Sequence, residues 1–177
     1  MIALGSDHGG FLLKEALKKY FDKNNISYRD FGTYEKENSV DYPKYAYLVA
    51  TSVVNGECEK GILCCGTGIG VSMVANKVHG IRAAVCHDEF SAEMTRRHND
   101  ANVLCLGGRI MGEEKAILLA KIFLNTPFEG GRHYCRVLQM EQIEKIFLEL
   151  KIKLFIEGCV ILYGKSSFCD GSPSYSA

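Results

Sequence analysis

The sequence predicts a doubly wound, Rossmann-like α/β domain: a five-stranded parallel sheet with helices on both faces, followed by a C-terminal helix suited to dimer packing. Three observations predict it. Five short apolar runs alternate with longer segments of helical periodicity, the pattern that repeated βαβ units require. Four of those runs end in polar or glycine-rich turns, as strands do when their carboxyl ends open onto a ligand crevice. The composition, 47% hydrophobic and 24% charged with 18 Gly and 3 Pro in 177 residues, is that of a globular chain. A chain of this length buries roughly 70% of its unfolded surface in one core. One domain is therefore expected over residues 1–150, with 151–177 holding the end of the last helix and a tail of no assigned role.

In order, residues 2–4 read as the first strand and 11–24 (FLLKEALKKYFDKN) as the helix that follows. The strands at 28–31, 61–65, 81–85 and 103–106 are separated by helical patterns at 43–54, 69–77 and 89–97, and a further helix spans 113–125. Pro43 stands at an N-terminal helical position, where its missing N–H costs nothing. Right-handed crossovers between parallel strands put helices on both faces of the sheet. A last helix over 139–154 places Ile143, Ile146, Phe147, Leu150 and Leu154 at helical spacing without a sheet partner, and a second subunit is its expected cover. Residues 159–163 form an apolar run too short to span a bilayer, and the Ser/Gly-rich end reads as disordered.

Charge and cysteine usage narrow the function classes. With 21 Lys+Arg against 21 Asp+Glu, no net field draws the chain to nucleic acid or an anionic membrane. No stretch approaches the ~20 apolar residues of a membrane span, and the start MIALGSDHGG lacks the regions of a signal peptide, so a cytoplasmic protein is expected. The eight cysteines form no C-x-x-C pair and several lie in strand-like runs, which favours reduced thiols. Cys64 and Cys65 are neighbours on a strand and should face opposite sides, the wrong geometry for a shared zinc ion.

The strongest local signal is 61–70, GILCCGTGIG, a strand running into a glycine-rich turn that opens a helix. Glycines at 66, 68 and 70 let the backbone approach a ligand and turn its amides towards an anion. The spacing is neither the dinucleotide fingerprint nor a P-loop, which disfavours NAD and ATP. Cys65 stands just before that turn, where amide dipoles favour a thiolate able to act as base or nucleophile. Cys64 reads as a small core residue. The Thr67 hydroxyl suits either a reacting oxygen or the cap of the next helix. Asp7 and His8 follow the first strand at the crevice edge, where they serve a ligand or only a turn. His98 and Asn99 end a helix just before the fifth strand, at the edge where strands begin; this sets them apart from Cys65 unless a neighbouring subunit shares the site. Arg132 and Arg136, four apart, project together if helical and suit a dianionic phosphate, or form a solvated basic face. His133 between them reads as structural or exposed.

Six separated motifs, taken together, resemble the B-type ribose-5-phosphate isomerase family, which also holds allose-6-phosphate and galactose-6-phosphate isomerases. They are GSDHGGFLLKE at the start, DYPKYA at 41–46, CGTGIGVSMVANK at 65–77, GIRAAVCHD at 80–88, RRHNDANVLCLGGR at 96–109 and FEGGRHYCRV at 128–137. The resemblance covers about residues 1–150. It implies interconversion of ribose 5-phosphate and ribulose 5-phosphate, with hexose 6-phosphate isomerisation as the alternative and a non-catalytic sugar-phosphate sensor as the rival. It implies Cys65 as the base that moves a proton between C1 and C2, with amides of Gly66, Thr67, Gly68, Ile69 and Gly70 stabilising the enediolate. His98, assisted by Asp7, would open the furanose ring, and Thr67 would shuttle protons at the enediolate oxygens. Asn99 and Tyr42 would contact the sugar; His8, Arg109, Arg132 and Arg136 would grip hydroxyls or phosphate. The resemblance implies no metal or organic cofactor. It also implies homodimers with sites mixed from both subunits, with assembly into tetramers left open. Some relatives use a glutamate after the glycine loop; here position 71 is Val and Cys65 is present, as in the cysteine-using kind.

Overall fold

The computed structural model describes residues 1–156, so the expectations for 159–163 and the Ser/Gly-rich end lie outside the described residues. The elements are β1 (Ile2–Ser6), α1 (Phe11–Lys23), β2 (Tyr28–Asp30), α2 (Tyr42–Val54), β3 (Lys60–Cys65), α3 (Ile69–Ala75), β4 (Ala83–Val85), α4 (Glu89–Asn99), β5 (Val103–Gly107), α5 (Glu113–Asn125) and α6 (Arg132–Ile156). The strands form one parallel sheet in the order β2-β1-β3-β5-β4. The chain winds outward from β1 to β2, returns to β3 on the other side of β1, and thereby creates a topological switch point between β1 and β3. Loops leaving the carboxyl ends of those two strands diverge and open a crevice.

Burial follows position in the sheet. Every residue of β1 and β5 is buried, whereas the three-residue edge strands β2 and β4 are only partly covered. Alternation along the strands divides the core in two. Leu4, Ile62, Cys64, Leu104 and Leu106 pack with Leu17 and Phe21 of α1 and Leu119 and Phe123 of α5. Ala3, Leu63, Cys65, Val103 and Cys105 pack with Val49 of α2 and Val71 of α3. Helices thus cover both faces, and Cys64 and Cys65 lie on opposite sides of the sheet, as their adjacency predicts.

Of the boundaries that differ from the sequence expectation, three have a visible local cause. The β4 ladder starts at Ala83, because the amide of Arg82 donates to the Asn102 side chain at 2.8 Å rather than to a strand. α3 stops at Ala75, where Asn76 turns out of the helix and exchanges two side-chain hydrogen bonds with Ala83. α6 begins at Arg132 rather than 139. Its first turns bury only His133 and Val137, so they lack the broad apolar stripe that marks a helix in sequence. Arg132 and Arg136 are helical and exposed, meeting the condition for a paired basic surface.

The chain forms two compact units, the first Met1–Glu141 and the second beginning at Gln142. The second, taken by itself, carries exposed Ile143, Ile146, Phe147 and Leu150 on the continuing helix. Among the described residues no helix is long and apolar enough to cross a membrane, and Cys58, Cys64, Cys65, Cys86, Cys105 and Cys135 are free thiols.

Candidate active site

The crevice at the switch point is built by backbone packed on backbone. β1 ends and the amide of Asp7 donates to the carbonyl of Cys64 at 3.3 Å, joining the loop after β1 to the end of β3. The Asp7 carboxylate, 7% exposed, accepts the amide of Gly10 at 2.9 Å and so caps the turn from which α1 starts. Gly10 lies flat on the Cys64–Cys65 peptide: a Cβ there would sit 2.2 Å from the Cys64 carbonyl carbon. Only glycine permits that approach. His8 accepts the amide of Val40 through Nδ1 at 3.1 Å, which assigns the proton of the neutral ring to Nε2.

Cys65 ends β3, 5% exposed, and its Sγ receives the amide of Gly68 at 3.1 Å. The turn that aims this amide needs Gly68 at φ 81°, a left-handed conformation that a Cβ would strain. Thr67 is exposed and its hydroxyl accepts the amide of Ile69 at 3.3 Å, while Gly68 itself occupies the cap position of α3. The loop after β5 closes the other side: Gly108 donates to the carbonyl of Cys65 at 2.7 Å and Arg109 to that of Gly66 at 3.0 Å. The Arg109 side chain lies over Gly66. Tyr42, at the start of α2, packs its ring against Gly70, where a Cβ would meet the ring at 2.8 Å. Asp7, His8, Tyr42, the turn 65–70 and Arg109 therefore share one crevice edge.

The other thiols near the sheet are chemically quiet. Burial raises the Cys64 and Cys105 thiols well above their ordinary range, and it pushes Cys86 up to about 11. A cavity of about 710 Å³ lined by Arg29, Gly32, Thr33, Tyr34, Val40 and Tyr45 adjoins His8 through Val40 but shares no residue with the glycine turn.

A second cluster forms where α4 ends and α6 begins. His98 lies in the last turn of α4, Asn99 is exposed beside it, and Asp100 adopts φ 46° to leave the helix. The His98 ring stacks on the ring of His133, 4.2 Å between centroids with planes 6° apart. His133 is buried at 2% exposure, which settles its sequence reading in favour of the structural alternative. Burial, then the charges of His98 and Arg132, lowers its proton affinity. The nearby Glu129 carboxylate is held by Arg97 at 2.9 Å. His98, Glu129 and His133 bring their ligand atoms within 4.8 Å of one another. Imidazole lone pairs lie in the ring plane, however, and two nearly parallel planes do not aim them at one ion, so the arrangement is a stack rather than a chelate.

The two clusters stay apart in one protomer. His98 and Asn99 precede β5 and Arg109 follows it; the four residue steps from Val103 to Gly107 separate them by about 13 Å at 3.3 Å per step. The tension read from the sequence is thus a real geometric property. Sequence reasoning gave Glu129 and Arg97 no role, although both lie in the motifs at 96–109 and 128–137, and did not single out His133 as a site residue. The only available signal was the pair Gly130-Gly131, whose φ values of 69° and 55° turn the chain back onto α4.

Comparison with known proteins follows the same outline. The family described as Ribose/Galactose Isomerase matches residues 2–140. The chain is similar to ribose-5-phosphate isomerase B of Escherichia coli strain K12, 45% identical over 144 residues that cover 81% of this chain and 96% of that protein. Its structure is similar to that of ribose-5-phosphate isomerase B of Clostridium thermocellum, with TM-score 0.80 and 48% identity over 82% of this chain and 98% of that one. It is also similar to the Mycoplasma genitalium ribose-5-phosphate isomerase B with bound ribulose-5-phosphate, with TM-score 0.78 and 40% identity, covering 81% and 95% of the respective chains.

Proposed function

The chain belongs to the ribose/galactose isomerase family, and from that premise we propose that it interconverts ribose 5-phosphate and ribulose 5-phosphate through a cis-enediolate, in a site completed by a second copy of the chain. The observation that carries the reading is the Cys65 sulfur at the switch-point crevice, receiving the Gly68 amide at 3.1 Å. A donor aimed at sulfur serves it when it carries charge, as a proton-transferring thiolate must. Cys65 removes the proton from C2 of the open-chain aldose and returns it to C1. The electron pair passes to the C1 oxygen, where amides of the turn Gly66 to Gly70 other than those engaged by the Cys65 sulfur and the Thr67 hydroxyl offset the developing charge. Thr67 carries the proton between the two enediolate oxygens.

Ribose 5-phosphate arrives as a furanose, so ring opening comes first. His98 acts as its acid–base group with Asp7, and Asn99 and Tyr42 orient the sugar. His8, Arg109, Arg132 and Arg136 grip hydroxyls and the phosphate dianion, for which two guanidinium forks one helical turn apart are suited. One protomer cannot supply all of these, because about 13 Å of sheet lies between the Cys65 loop and His98. In the proposed homodimer the His98, Asn99, Arg132 and Arg136 set of one protomer faces the Cys65 crevice of its partner.

The test is a coupled assay with ribose 5-phosphate and allose 6-phosphate side by side, run on the wild type and Cys65→Ala. Turnover of the pentose that vanishes in the variant, with phosphate-dependent binding retained, supports both the reaction and the base. Full turnover in Cys65→Ala overturns the assignment of the base, and binding of both sugars without turnover by the wild type returns the sensor reading. Preference for the hexose, judged by kcat/KM, reassigns the substrate.

A further inference from the structure

The loop before α6 is strapped to the end of α4 more firmly than a connection requires. The amide of Glu129 donates to the carbonyl of Arg97 at 3.0 Å, and the Arg97 guanidinium bridges the carboxylates of Glu129 and Glu93 at 2.9 and 3.0 Å. Gly130 and Gly131 then reverse the chain, and the His133 amide donates to the carbonyl of Gly130 at 3.0 Å. The result is one imidazole laid flat on another. His133 Nε2 accepts from Arg132 Nε at 3.3 Å, which assigns its proton to Nδ1, a buried atom with no hydrogen-bond partner among the described residues.

We propose that His133 is a positioning residue for His98: its buried ring, held by the Arg97–Glu129 strap, fixes the plane of the His98 imidazole in the orientation that furanose ring opening needs. The proposal rests on the reading of His98 given above. The torsion that sets an imidazole plane is broad and roughly two-fold, so an acid–base histidine in a helix's last turn has no intrinsic preference for one plane. A flat neighbour 4.2 Å away supplies that preference. Burial, then the neighbouring charges of His98 and Arg132, lowers the proton affinity of the His133 ring. His133 needs no contact with substrate to act in this way.

His133→Phe keeps a flat, non-titrating ring, whereas His133→Leu fills similar space without one. With ribose 5-phosphate, the Leu variant should lose roughly 10- to 100-fold in kcat with KM little changed, and the Phe variant should recover most of the loss. Ribulose 5-phosphate cannot close a furanose, because its O5 carries the phosphate, so solvent-deuterium exchange at its C1 needs no ring opening. The Leu variant should therefore lose severalfold less in exchange than in ribose turnover. Proton NMR of the ligand-free protein reads the stack directly: the His98 ring protons should be shifted by a neighbouring ring in the wild type and the Phe variant and not in the Leu variant. A Phe variant as impaired as Leu overturns the proposal, since His133 would then act through its nitrogens. So does a Leu variant with wild-type turnover, or equal losses in exchange and turnover. Should the Leu variant fail to fold, Glu129→Gln loosens the strap instead, and unchanged ribose turnover in that variant overturns the proposal. A wild type without turnover refutes the functional reading itself, a failure recognisable because the NMR signature of the stack persists.

Discussion

Gly10→Ala isolates the backbone contact on which the crevice depends. Gly10 sits at φ −104° and ψ −1°, a conformation open to alanine, so any penalty comes from contact alone. The new Cβ would stand 2.2 Å from the carbonyl carbon of Cys64, 2.3 Å from its oxygen and 2.6 Å from the nitrogen of Cys65. Ordinary carbon contacts lie at about 3.5–4.0 Å, so the start of α1 must move off β3 by roughly 1 Å. All three atoms belong to the backbone of a central strand, and no side-chain rotation relieves them. Overpacking of this kind costs up to about 3 kcal/mol. At about 2–4 °C per kcal/mol for a chain of this size, the midpoint of thermal unfolding should fall by roughly 6–12 °C. The same displacement moves the Asp7 turn relative to Cys65, and a misplacement of about 1 Å costs up to ~100-fold in kcat. Circular dichroism melts and steady-state kinetics on purified Gly10→Ala read both effects. Gly112→Ala is the control, since a Cβ there meets nothing within 4 Å and φ is −80°; it should lie within roughly 0.5 kcal/mol of wild type. A Gly10→Ala protein with wild-type melting and turnover would refute the reasoning.

The buried Lys14 Nζ meets Asp30 at 2.6 Å; among the described residues Lys14→Met leaves that carboxylate the Gly32 amide and Lys18, and should cost about 3 kcal/mol by urea denaturation. Burial alone would raise the Asp30 carboxyl, but hydrogen bonds from Lys14, the Gly32 amide and Lys18 outweigh it and hold the group below the ordinary carboxylate range. The unfolded chain therefore binds this proton more readily, so the stabilisation is complete above about pH 4–5 and is lost as pH falls below ~3.9. Urea midpoints measured down to about pH 3 should show this loss in the wild type and a shallower one in Lys14→Met; equal slopes would contradict the assignment. Cys64→Ala, on the face opposite Cys65, should cost about 1 kcal/mol of stability while turnover stays near wild type, in contrast to Cys65→Ala.

Periodicity in the chain was sufficient for the strands, the helices and the two-faced sheet, because burial on both sides of a parallel sheet leaves short apolar runs and polar carboxyl-end loops. α5 at Glu113–Asn125 matches its expected bounds, and the glycines that let backbone pack on backbone at 10 and 68, and side chains on backbone at 66 and 70, were visible as motifs. The start of α6 was not, since two buried residues in two turns leave no stripe. Nor was the Lys14–Asp30 pair, whose partners lie 16 residues apart and meet only when β2 pairs beside β1. Sequence determined which residues could do chemistry: Cys65 before its turn, His98 at a helix end, two arginines four apart. Tertiary structure alone decided which of them meet. Strand direction sends Asp7, Cys65 and Arg109 to one edge of the sheet and His98 to the other, and the glycine reversal at 130–131 folds His133 onto His98. Periodicity records whether a side chain is covered; only the path of the chain sets what covers it.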